Sequence, residues 1–257
     1  MTYSQDIQNI INALNVATAK VLSKRISISF VMGWNKSGVQ TPLSQLQKKA
    51  IGQIASTSIG YMQEYNYALG NQIKDEIKKR MAEGAGYEDI KKSLKPYIED
   101  VFKNGVVEID NRGKTRIIWG VDKNGNIFKT EKVIENTYSS TIENYADLTS
   151  RTSLHQSYEK GRAEGYKAQG IDSWVFTGPN DERARVFHIA LLGNVYKYGT
   201  PESDAAESIL AEINCRHRAI PYMDNPAYDL PQSHYDEMKD KAGLYWDDST
   251  ESWALSE

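Results

Sequence analysis

Gly170-Ile171-Asp172-Ser173-Trp174-Val175-Phe176-Thr177-Gly178-Pro179 is the stretch on which the fold turns. A helical pattern runs into Gly170, the residue type that takes the left-handed position just past a helix end. Asp172 to Thr177 then packs aromatic and β-branched residues into one short run, and Gly178-Pro179 stops it, as expected of a buried strand. A short helix is predicted from about Asp181 to Leu192, closed by Gly193, with another short strand over Asn194 to Tyr198. Short strands alternating with short helices imply an α+β protein, with a small sheet packed on helices in its C-terminal part.

Upstream, the β-forming runs Thr115 to Val121 and Asn126 to Thr130 flank Asp122-Lys123-Asn124-Gly125, a good hairpin signal. Helix is expected from Glu131 to Gly170. The N-terminal hundred residues read as helical. Ile7, Ile10, Ile11, Leu14, Ala17, Val21 and Leu22 make one amphipathic stripe, with Ser4 and Asp6 as candidate N-caps. Ile26 to Gly38 fits either a short strand or a helix end and loop.

A long helix follows from about Leu43 to Met81, although Gly60 and Gly70 each cost ~1 kcal/mol relative to alanine. Ala82 to Gly86 stops it, and Tyr87 to Phe102 restarts as a shorter helix with Pro96 as kink or boundary. The stripe on the long helix exceeds what a small C-terminal domain would cover, so a partner protein is expected on it. The chain thus divides into a helical arm (1–104), a hairpin region (105–134), a compact domain (135–226) and an acidic tail (227–257), loose or docking, that holds Trp246 and Trp253.

Composition narrows the function classes. The 257 residues are 40% apolar and 25% charged, which suits a folded globular chain. A net charge of -3 gives no general pull toward nucleic acid or anionic membrane. Any DNA contact would be local, at Lys48-Lys49, Lys78-Lys79-Arg80 or Lys91-Lys92. One cysteine excludes an intrachain disulfide and fits a reducing compartment. No signal-peptide pattern and no run of ~18 apolar residues is present, so an intracellular, soluble product outside the membrane is expected.

Three polar clusters stand out. Arg151, His155, Tyr158 and Arg162 share a helix face beside Thr152 and Ser153; such a face could hold an anion or orient a catalytic group, but a solvated polar face with Tyr158 half buried is the ordinary reading of this spacing. On a helix, Asp181, Arg185 and His188 would align, with Asp181 pairing Arg185, while Arg183 stands one step away. In Asn214-Cys215-Arg216-His217-Arg218, an extended chain puts Cys215 and His217 on one face and Arg216 and Arg218 on the other. A Cys/His pair is the start of a zinc site or a nucleophile pair, but zinc takes three or four ligands. Cys215 and His217 supply two, and His188 and Asp181 would have to complete the site, so the expectation is an architectural cluster with no metal and no cofactor.

Taken in order, Arg151-Thr152, Tyr158 to Gly161, Gly170 to Trp174, Asp181-x-Arg183-x-Arg185-x-x-His188, Gly193-Asn194-Val195 and Asn214-Cys215-Arg216-His217 before Pro221 resemble the phage Mu protein F-like domain of head morphogenesis proteins. Ser153 stands where that pattern has Glu, Ala184 where it has Thr, and His217 where it closes on Cys. The resemblance implies a minor capsid protein of the virion head, near the portal protein and other head proteins, made in the host cytoplasm and in some cases delivered with packaged DNA. It implies no particular reaction. Two alternatives stay open: a virion-borne nuclease or transferase using the polar cluster, and a DNA-binding head protein.

Overall fold

Two long helices begin the chain, and the computed structural model describes residues 3–86, 89, 90, 92, 97, 100, 104, 106–224 and 230–256. Helix α1 (Tyr3–Lys36) runs unbroken through the stretch that was open between strand and loop. Its β-branched residues stay helical because Ile26, Phe30 and Trp34 recur every fourth position and all three are buried. Tertiary burial overrides local preference there. Helix α2 (Gln45–Ala82) starts at Ser44, whose backbone N–H donates to Gln47 Oε1 at 2.8 Å, and it ends on Gly84 at φ 85°. Gly60 and Gly70 do not interrupt it.

The α2 stripe is covered from within the chain. Tyr65, Leu69, Ile73 and Ile77 cluster with Ile11, Ile90 and Ile109, while Leu46 and Met81 near its ends are exposed. The reason for expecting a partner on that stripe is therefore removed. The helix expected over Tyr87 to Phe102, with its Pro96 kink, falls largely outside the described residues, and so do the side chains of Ser4 and Asp6 and all of Lys91.

Strands β1 (Val106–Asp110), β2 (Thr115–Val121), β3 (Ile127–Val133) and β4 (Thr137–Thr141) form one long jogged hairpin. The β2–β3 ladder turns at Asp122–Asn126, and β1 pairs antiparallel with β4 beyond the jog. The helix expected from Glu131 is corrected: it starts only at Ile142. Thr137 to Thr141 are β-branched, hydroxyl and aromatic residues that suit a strand, and β1 supplies the partner.

Helix α3 (Ile142–Ala168) is capped by Thr141 Oγ1, which accepts from the Asn144 N–H at 3.3 Å. It closes through Gln169 to Gly170 at φ 80°, as read from the sequence. Helix α1 lies along α3 at backbone-contact distance. A Cβ on Gly33 would sit 2.0 Å from the Tyr158 carbonyl oxygen, and one on Gly161 2.1 Å from that of Phe30. Only hydrogen at those positions permits the approach.

The C-terminal core is built on the antiparallel sheet β6-β5-β7, with β5 (Ser173–Thr177) between β6 (Val195–Lys197) and β7 (Arg218–Tyr222). Trp174, Val175 and Phe176 are all buried, so both faces of the central strand are covered and its apolar run is continuous. Helices α4 (Val186–Ala190) and α5 (Pro201–Leu210) supply Ile189, Ala206 and Ile209 to the same core, and Trp174 Nε1 donates to Ser203 Oγ at 2.9 Å. Residues beyond 230 are not a loose tail. Helix α6 (Gln232–Lys241) and the hairpin β8 (Leu244–Asp247)–β9 (Ser252–Leu255) pack on this core through Tyr235, Met238 and Leu255, and Trp253 Nε1 donates to the Asp122 carbonyl at 3.1 Å.

Candidate functional site

Two loops converge beside the β5 end of the sheet. The first precedes α4, which is shorter than the sequence suggests: Asp181 to Ala184 form turns and the helix begins at Val186. The second follows α5, where Asn214 takes a left-handed φ of 59° and the Cys215 N–H donates to the Glu212 carbonyl at 3.1 Å. Asparagine is among the few non-glycine residues that adopt this conformation readily. The tight turn sends Cys215 and His217 inward and Arg216 outward, the alternation expected of an extended segment.

The loops are stapled by ion pairs, but not by the expected one. Asp181 does not align with Arg185. It accepts from Arg216, with Nη1 at 2.8 Å from Oδ2, and this holds its carboxyl well below the usual range, at about 2. Arg185 instead donates to the Ile213 carbonyl at 2.7 Å and faces Glu212 Oε2 at 3.3 Å. Arg183 is exposed, and its backbone N–H donates to Asp181 Oδ1 at 3.0 Å.

Behind these pairs lie His188, Cys215 and His217, exposed by only 1%, 8% and 2%. The two Nδ1 atoms are 3.3 Å apart, and Cys215 Sγ is 3.6 Å from that of His188 and 3.8 Å from that of His217. On its other edge His188 Nε2 meets Glu212 Oε2 at 3.0 Å, which fixes the imidazole from outside. Phe187 meets the His188 ring edge-on, and Phe176 lies against both imidazoles. A Cβ on Gly178 would come within 2.7 Å of the His217 ring, so glycine there lets His217 sit against the strand end.

Burial sets the protonation of the site. It pushes the Cys215 thiol up to about 11. It lowers His217 to about 3 with help from the neighbouring His188, and it lowers His188 against the opposing pull of Glu212. A nucleophilic cysteine needs a lowered pKa and access to substrate, and Cys215 has neither. The nucleophile-pair reading therefore loses its physical basis. With two neutral imidazoles and a thiol that would ligate as its thiolate, these three side chains are the described residues equipped to hold a metal ion, and all three ligand atoms lie within 4.8 Å of one another.

The α3 residues divide. Arg151 is exposed and pairs with Asp147 at 2.8 Å, whereas Arg162 is buried against Glu159 and the Tyr166 hydroxyl, so the two do not form one solvated face. Thr152 Oγ1 is buried without a hydrogen-bond partner among the described residues. Ser153 is turned toward α2, with its Oγ 2.7 Å from both Ser58 Oγ and the Thr149 carbonyl oxygen. Only His155 approaches the cluster, beside the His217 backbone. Sequence reasoning missed Glu212. Its position three residues before Cys215 was the available signal, since the turn closed by the Cys215 N–H on the Glu212 carbonyl keeps the two residues at one site, with the Glu212 carboxylate on His188.

A family model described as "Phage Mu protein F like protein" matches residues 71–220, from the second half of α2 into β7. No curated protein and no solved structure matches the chain.

Proposed function

The chain belongs to the phage Mu protein F-like family, and from that premise we propose that it is a minor head protein of a tailed virus, bound near the portal protein and acting in head morphogenesis or genome delivery. The observation that carries this reading is the extent of the family match, which takes in the jogged hairpin, α3 and the whole His/Cys cluster. A second feature supports assembly on other head proteins. The exposed side of α1 carries Val16, Val21, Ile28, Val31 and Met32, an apolar surface that a protein partner would cover. No helix among the described residues is long and apolar enough to cross a membrane.

The alternatives have less support. An enzyme working through Cys215 would need an activated thiol, and burial works against one. DNA binding through Lys78-Lys79-Arg80 is weakened by the chain's own acids, since Lys78 pairs with Asp75 and Arg80 with Glu76.

Deleting the gene from the virus and supplying the chain in trans tests the proposal. Deletion is expected to lower the yield of infectious particles, and the wild-type chain to restore it. A chain carrying Val21→Ser, Ile28→Ser and Met32→Ser is expected to fold but not to restore it. A deletion virus with wild-type yield and normal heads would overturn the reading.

A further inference from the structure

The spacing of the three buried donors matches a metal coordination sphere. Zinc bonds to imidazole nitrogen at about 2.0–2.1 Å and to thiolate sulfur at about 2.3 Å in tetrahedral sites. At tetrahedral angles those lengths put two nitrogens about 3.3 Å apart and a nitrogen and a sulfur about 3.6 Å apart. The observed separations are 3.3 Å for His188 Nδ1 to His217 Nδ1, and 3.6 Å and 3.8 Å from Cys215 Sγ to each.

We propose that His188, Cys215 and His217 bind one zinc-type divalent ion through Nδ1, Sγ and Nδ1. The sequence alone offered too few adjacent ligands for such a site; the fold supplies the third by bringing α4 against the turn after α5. Two imidazoles and a thiolate are a donor set suited to zinc rather than to magnesium or calcium, which take oxygen. Among the described residues no fourth Cys, His, Asp or Glu joins the group, so the fourth position takes a non-protein donor such as water.

The surroundings of His188 have the form found at metal sites. A ligating histidine usually gives its other N–H to a carboxylate, which fixes the ring and leaves the metal-facing nitrogen unprotonated. Glu212 stands in that place, 3.0 Å from His188 Nε2, and is itself held by Arg185. Phe176 and Phe187 close the apolar side. Binding releases the Cys215 proton to solvent as the sulfur–metal bond forms, with no change in oxidation state. The site stands independently of the head-protein reading, because it rests on distances within one domain.

The test uses the full chain, stripped of metal under reducing conditions and titrated with Co2+ and then Zn2+. One equivalent of Co2+ is expected to give a thiolate-to-cobalt charge-transfer band and the strong visible absorption of a four-coordinate ion. Zn2+ should abolish both, and either metal should raise the melting temperature. Cys215→Ser should lose the charge-transfer band. Glu212→Gln should keep the band while binding about 10–100-fold more weakly. If Cys215→Ser does not fold, the wild-type titration decides alone. Absence of a saturable band and of any metal-dependent shift in melting would overturn the proposal, and so would an undiminished band in folded Cys215→Ser.

Discussion

Glu212 Oε2 lies 3.0 Å from His188 Nε2, so the carboxylate grips the imidazole on the edge opposite the one facing Cys215 and His217. That grip orients a ring whose burial keeps it neutral near pH 7, and it ties the turn after α5 to α4.

Acid should unfold the protein by way of this cluster. His188, His217 and His155 all have folded pKa values lowered by burial, His217 to about 3, while the unfolded chain titrates near the ordinary value of about 6.5. Below about 6.5 the unfolded state therefore binds more protons, so stability is complete above that pH and is lost as pH falls toward the folded values. His217 alone is expected to remove on the order of 2 kcal/mol between pH 6.5 and pH 5. Urea unfolding of chelator-treated protein at pH 7.5, 6 and 5 measures this. His217→Gln should give a shallower slope, and a flat wild-type profile would contradict the assignment.

Two glycine-to-alanine changes should move stability in opposite directions. A Cβ at Gly161 would lie 2.1 Å from the Phe30 carbonyl oxygen, with backbone on both sides. Gly161→Ala must push α1 off α3, at a cost of about 1–3 kcal/mol or more. Gly52 sits in α2 with nothing within 4 Å of the position a Cβ would take, so Gly52→Ala should stabilise by roughly 0.5–1 kcal/mol. Thermal melts of the two variants check both signs.

Part of this architecture is legible in the residues. The β5 run between Gly170 and Gly178-Pro179, the Asn124-Gly125 turn and the Gly170 helix stop each rest on local chemistry, and each stands where the residues place it. The α1 helix was obscured because Ile26-Ser27-Ile28-Ser29-Phe30 alternates like a strand, although Ile26, Phe30 and Trp34 also keep a four-residue step. Long-range partners decided the rest. Nothing local says that Thr137 to Thr141 will pair with Val106 to Asp110, or that Asp181 will choose Arg216 over Arg185. The Cys215/His217 pair was visible from spacing; its meeting with His188 and Glu212 depends on how α4 and α5 pack.

Position 153 should not tolerate the carboxylate that the family pattern places there. Ser153 is buried between α3 and α2, bonded to Ser58 and the Thr149 carbonyl. Ser153→Glu would bury a charge with no cation shown beside it, and should destabilise by about 3 kcal/mol or more. Ser153→Ala should cost about 1 kcal/mol, since Ser58 Oγ keeps its bond to the Ile54 carbonyl. Equal effects in chemical denaturation would show that α2 and α3 are not packed this way.

Arg151, despite its place in the motif, should be dispensable for folding. Its side chain is 64% exposed and its partner Asp147 is 57% exposed. Arg151→Ala is expected to change stability by no more than about 0.5 kcal/mol. A large loss in thermal unfolding would mean that Arg151 has a structural partner beyond Asp147. Normal folding with loss of particle assembly would place its role at a protein interface.

A minor head protein must end up in the assembled head. Gradient-purified DNA-filled particles can be separated into heads and tails and the chain quantified in each by mass spectrometry, alongside the portal and major capsid proteins. Retention of the chain with the portal-bearing head fraction, at far fewer copies than the major capsid protein, and its absence from tails is the predicted result. Recovery of the chain only in the unassembled supernatant, or only with tails, would contradict it.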